Sequence, residues 1–198
     1  MVDGVSWRVL LEDLEVAYGQ VVSGAGVDLG VRSSSFGEWA AGLREVVESG
    51  GFDGEVEYWS GVGRGVPVGL PVEGEPVGGV SGPCVVSGEL SADATRVLVQ
   101  RVPVVFRARV NEVLLAVLGR VLGEWTGRDR VVVDVEGHGR EEVVSGVDLS
   151  RTVGWFTTVF PFELRGSAGA WDVLVREAKE GLRAVPGRGI GYGALRYL

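Results

Sequence analysis

Sulfur and imidazole are almost missing from this chain: its 198 residues include one cysteine, one methionine and one histidine. Cys84 alone can close no internal disulfide and build no cysteine-based zinc site. His138 alone excludes multi-histidine metal centres. Positive charge is also in deficit, with 19 Lys and Arg against 27 Asp and Glu, a formal net charge of −8. A general binder of nucleic acid or of anionic membranes carries the opposite balance, so neither partner is expected. There is no long hydrophobic run. The richest apolar stretch is broken by Arg107, Arg109, Asn111 and Glu112, short of a membrane span. The first residues have no apolar core behind a basic start, so they do not read as a signal peptide. The expectation is a soluble chain in a reducing, cytoplasmic setting.

Hydrophobic residues make up 45% and glycine contributes 33 residues. That is enough apolar material for a sizeable core and excludes a disordered, charge-rich tail. The glycines follow no Gly-X-Y period, which excludes collagen. Leu10, Leu14, Ala17 and Val21 are spaced as one face of a first helix, with Ser6 expected as its N-cap. A second helix is expected over residues 36 to 47, with Trp39, Leu43 and Val47 on one stripe. Residues 50 to 83, rich in glycine and proline, read as a connection rather than a core element. The domain reading is therefore an end of one lobe over 1–60, a connection over 61–83 and the first part of a second lobe over 84–198.

Beyond the connection, 84 to 90 reads as a strand and 91 to 100 as a short helix capped by Ser91, punctuated by Pro103. A long helix is expected over 107 to 125 on the stripe Val110, Leu114, Val117 and Val121. The β-branched run 130 to 135 predicts a buried strand, and a second strand is expected within 153 to 164, bent at Pro161. A last helix spans 170 to 185 and stops at Pro186. Helices alternating with strands predict an α/β or α+β layered fold.

Four stretches are more particular than periodicity requires. They are Asp3-Gly4-Val5-Ser6-Trp7-Arg8, Glu136-Gly137-His138-Gly139-Arg140-Glu141-Glu142, Arg151-Thr152-Val153-Gly154-Trp155-Phe156-Thr157-Thr158, and Pro186-Gly187-Arg188-Gly189-Ile190-Gly191-Tyr192-Gly193. The second places an acid, an imidazole and a guanidinium at the end of a strand, where ligands commonly bind in α/β sheets. A partly desolvated carboxylate there could act as acid or base; a solvated turn with Arg140 in a structural ion pair is the alternative. His138 by itself reads as a structural or surface histidine. Trp155 and Phe156 could line a ligand channel or simply belong to the core. The last stretch matches neither dinucleotide nor P-loop patterns and reads as a packed turn.

Taken together and in this order, the four stretches resemble the epimerization domain of nonribosomal peptide synthetases, a branch of the condensation-domain superfamily. Asp3-Gly4 through Trp7 corresponds to the tail of its His-His-x-x-x-Asp-Gly motif. The stretch from Glu136 to Glu141 is its most distinctive signature. The resemblance implies a two-lobed, chloramphenicol-acetyltransferase-like α/β fold with an active-site tunnel. It implies an isomerase acting on an aminoacyl or peptidyl thioester, inverting the α-carbon from L to D. It implies no cofactor of its own: the substrate rides on the phosphopantetheine of a peptidyl carrier protein, among adjoining synthetase modules of antibiotic-type secondary metabolism. Glu136 would be catalytic, opposite the second histidine of the motif. Asp3, Gly4, Trp7, His138 and Arg140 would support the site, with Arg140 pairing to Asp3, and Trp155, Phe156 and Tyr192 would line the tunnel. Aligned on Asp3, Met1 falls inside the motif and both motif histidines precede it, while the family's closing Phe-Asn-Tyr-Leu-Gly falls beyond Leu198. The chain therefore reads as a domain truncated at both ends and inactive alone. A non-catalytic remnant or carrier-binding module is the alternative, and a peptide-bond-forming condensation domain a weaker one.

Overall fold

The computed structural model describes residues 1–71, 85–166 and 169–198. Its elements are α1 (Gly4–Val22), α2 (Phe36–Glu48), a 3-10 turn (Asp53–Glu55), α3 (Val56–Gly61) and α4 (Ala92–Arg96). A π-helical turn (Val97–Arg101), α5 (Val102–Phe106), α6 (Val110–Thr126), β1 (Arg130–Gly137) and β2 (Thr158–Arg165) follow. The chain ends with α7 (Trp171–Ala184), a 3-10 turn (Pro186–Gly189) and α8 (Ile190–Tyr197). β1 and β2 form a two-stranded sheet. None of the described helices is long and apolar enough to cross a membrane.

The chain divides into two compact units. The first comprises Met1–Val62, Asp134–Pro161 and Val185–Leu198; the second comprises Gly63–Val133 and Phe162–Ala184. In the first, Trp39, Leu43, Phe52, Phe156, Ile190 and Ala194 form the core. The α2 stripe behaves as its spacing predicts: Ser35 and Glu38 close a capping box, Trp39 and Leu43 are buried, and Val47 packs against them. In the second, Val113 and Ala116 of α6 pack against Leu174, Val175 and Ala178 of α7.

Several expectations are corrected. Asp3, not Ser6, caps α1, because its carboxylate accepts the Ser6 N–H at 2.7 Å. The α1 face turned inward carries Ser6 and Val9, whereas Leu10, Leu14 and Val21 are exposed. The same inversion occurs in α6, where Val113, Ala116, Gly119 and Gly123 are buried while Leu114, Val117 and Val121 are open. The cause is close backbone approach: a Cβ on Gly119 would meet the Arg165 carbonyl oxygen at 2.6 Å, and one on Gly123 would overlap Gly166. Phe52 lies inside the glycine-rich connection yet is core, and helical turns surround it. Residues 85–90 form no strand; Val85 and Val86 are exposed, and Cys84 lies outside the described residues. The helix capped by Ser91 runs past its expected end: the π-helical turn, in which the Val102 N–H donates to the Val97 carbonyl, carries the chain into Pro103 and α5. It stops at Arg107, in the left-handed conformation.

Candidate functional site

The site grows from the end of β1 in the first unit. Side chains alternate along the strand, so Glu136 shares a face with Val132 and Asp134. Glu136 and Val132 are exposed. After Gly137 the chain turns through His138 and Gly139. Gly139 has φ +67°, and a Cβ there would collide with the Phe156 carbonyl oxygen. Only glycine lets this turn lie against the 154–158 segment.

That close approach delivers Arg140 into the interior. Its Nη1 donates to the carbonyls of Leu149 and Thr152, both at 2.8 Å. Its Nη2 donates to Ser6 Oγ at 3.0 Å and to Asp3 Oδ1 at 3.2 Å. The guanidinium also lies 4.1 Å from the centre of the Phe156 ring. Both charged side chains are buried, Asp3 4% and Arg140 9% exposed. Asp3 further accepts the Phe156 N–H at 3.2 Å. Burial pushes the Asp3 carboxyl upward, but donors from Ser6, Phe156 and Arg140 outweigh it and hold the group below the ordinary carboxylate value. Ser6 has a larger task than capping. Its hydroxyl donates to the Gly154 carbonyl at 2.8 Å and accepts the Gly154 N–H at 3.0 Å.

A second, smaller network holds His138. Its Nδ1 accepts the Arg140 N–H at 3.1 Å, and its Nε2 lies 3.1 Å from Glu141 Oε1. Arg188, from the turn before α8, reaches the same carboxylate oxygen at 3.6 Å.

The structure thus brings Asp3, Arg140 and Phe156 together, with His138 adjoining them in sequence and on the surface. Glu136 stands outside both networks and has no ion-pair partner among the described residues. Gly4 and Trp7 are exposed on the first turns of α1. A cleft of about 530 Å³ is lined by Asp134, Trp155, Phe156, Thr158, Tyr192 and Arg196. Phe156 forms its inner wall, at 2% exposure, and Trp155 its open side, at 44%. The Tyr192 hydroxyl accepts from Arg196 at 2.6 Å. Ser6, Glu141 and Arg188 were not legible as site residues: Ser6 looks like a cap, and Glu141 is one acid of a pair. Among the described residues no cluster of three or more His, Cys, Asp and Glu side chains could hold a metal.

A family model described as the condensation domain matches residues 1–198. One of the linear gramicidin synthase proteins of Brevibacillus parabrevis is 46% identical over 200 residues, which cover all of this chain and 4% of that protein. The crystal structure of the epimerization domain from the third module of tyrocidine synthetase B superposes with a TM-score of 0.82 at 31% identity, covering all of this chain and 46% of that one. The first condensation domain of the calcium-dependent antibiotic synthetase gives a TM-score of 0.76 at 23% identity over 96% of this chain and 41% of that one.

Proposed function

The chain belongs to the condensation-domain family, and we propose that it forms part of a nonribosomal peptide synthetase epimerization domain. Its mixed α/β fold is the chloramphenicol-acetyltransferase-like fold of the condensation and epimerization domains it resembles. In this reading residues 1–60 close the first lobe, 61–83 connect, and 84–198 open the second. The substrate is an L-aminoacyl or peptidyl thioester on the phosphopantetheine of a carrier protein in an adjoining part of the synthetase.

The observation that carries the reading is Glu136, an exposed carboxylate at the end of β1, two residues before a turn anchored by the buried Arg140. A thioester carbonyl acidifies the neighbouring α C–H. The Glu136 carboxylate takes that proton, and the C–H electron pair moves into an enolate on the thioester. A second group returns a proton to the opposite face, which leaves the D configuration; in the reverse direction the two groups exchange roles. By the family resemblance the second group is a histidine upstream of Asp3. Arg140 and Asp3 touch no substrate in this scheme: they are positioning residues that fix the turn behind Glu136.

The test is the Glu136→Gln variant of the complete domain carrying these residues, given a carrier-bound aminoacyl thioester. Gln keeps size and hydrogen bonding but cannot accept the proton, so L-to-D conversion should fall by roughly 10²–10⁴-fold. Unchanged conversion would remove Glu136 from the chemistry. The second reading is the family's other reaction, peptide-bond formation, and it is supported by the condensation-domain model that matches residues 1–198. Amide formation with a second aminoacyl carrier, and no exchange of the α-proton with solvent deuterium, would decide for it.

A further inference from the structure

Between Glu136 and Arg140 the chain reads Gly137-His138-Gly139, so the imidazole is the only side chain that can fix this stretch. Its Nδ1 accepts the Arg140 N–H at 3.1 Å, and its Nε2 lies 3.1 Å from Glu141 Oε1. A backbone N–H can only donate, so Nδ1 must be the unprotonated nitrogen and the ring proton must sit on Nε2, the nitrogen 3.1 Å from Glu141 Oε1.

The carboxylate leads to a second, strained segment. Glu141 is 17% exposed and shares its Oε1 with Arg188, whose own φ is +51°, between Gly187 at +50° and Gly189 at +91°. Left-handed backbone at a non-glycine residue is costly and persists only where its surroundings hold it. The end of β1 runs close beside this turn: a Cβ on Gly137 would sit 3.2 Å from the Arg188 carbonyl oxygen.

We infer that His138, as its neutral Nε2–H tautomer, is a positioning residue that clamps the Glu136 turn to the 187–189 turn through Glu141 and Arg188. This rests on the epimerization reading, because what the clamp positions is Glu136. Loss of the ring leaves two glycines flanking an unanchored residue, free to carry Glu136 away from productive geometry, and a displacement near 1 Å can cost about 10²-fold in rate.

Two variants separate the contacts. His138→Ala loses both. His138→Asn places Oδ1 where Nδ1 lies and can accept the Arg140 N–H as an Asx turn, although it cannot reach Glu141. In the complete domain, His138→Ala should lower kcat for L-to-D conversion about 10- to 100-fold with KM unchanged, and His138→Asn should recover a large part of that loss. Wild-type kcat in His138→Ala, or Asn performing no better than Ala, overturns the clamp. The tautomer supplies a readout independent of activity. His138 is the only histidine of this chain, so ¹⁵N-histidine labelling of the chain gives a single ring to assign. Protonation at Nε2 is expected, and protonation at Nδ1 refutes the clamp whatever the kinetics. Absence of conversion by the unsubstituted domain would sink the epimerization reading and leave the ring's tautomer to decide the clamp.

Discussion

Replacing Arg140 by Met keeps much of the side chain's apolar stem and removes its charge. Asp3 would remain 4% exposed, with the Ser6 and Phe156 N–H groups still donating but no cation facing it. The carbonyls of Leu149 and Thr152, each held at 2.8 Å, would lose their Arg140 donor in the same step. Breaking one side of a buried pair costs about 3–5 kcal/mol, most of it from the charge left behind. Asp3→Asn should cost a similar or smaller amount, because an amide oxygen can still cap α1 through the Ser6 N–H. The double variant should lose less than the sum of the two singles, by about 1–3 kcal/mol. Urea unfolding of the four proteins measures all three quantities. Acid sharpens the test. The native Asp3 carboxyl lies below its ordinary value, so its contribution is complete above the ordinary carboxylate range and is lost as pH falls through the lowered native value. Removing Arg140 takes away one of the groups that lower that value, so the acid-dependent part of the stability should become smaller and be lost over a narrower pH range. An Arg140→Met protein within about 0.5 kcal/mol of the parent, or strictly additive variants, would refute a coupled buried pair.

Two further outcomes follow from geometry. Gly139→Ala should destabilise by about 1–3 kcal/mol from its left-handed backbone, with a comparable amount from the clash with the Phe156 carbonyl; a thermal melt equal to the parent's would mean the turn relaxes freely. Phe52→Ala, at a position that reads as loop but is 4% exposed, should cost about 3–5 kcal/mol in denaturant unfolding, and a loss below about 1 kcal/mol would return that residue to the connection.

What the sequence made legible was what leaves a periodic or local trace. α2 announces itself through the spacing of Trp39, Leu43 and Val47, α7 through the Pro186 that stops it, and β1 through its β-branched run. Phe52 did not, because one aromatic among glycines has no period to belong to. Residues 85–90 have strand-like composition, but composition cannot report whether a neighbouring strand is there to complete the ladder. Asp3 and Arg140 lie 137 positions apart, and no periodicity links them. Their pairing was expected only through the motif resemblance, and the structure forms it.

The two helices whose faces were inverted, α1 and α6, share one physical explanation. Hydrophobic periodicity finds the face richest in large apolar side chains and assumes that it turns inward. In α6 the inward face is instead the one that lets backbones touch: Gly119 and Gly123 meet Arg165 and Gly166 where any Cβ would intrude. In α1 the inward face is chosen by polar chemistry, because Asp3 and Ser6 must reach Arg140 and Gly154. A buried ion pair with so many partners fixes the rotation of the helix that carries it, since turning α1 to bury Leu10 and Leu14 would strand both charges. Specific contacts, rather than burial of the largest side chains, thus set the orientation of both helices, and in α1 those contacts belong to the candidate site itself.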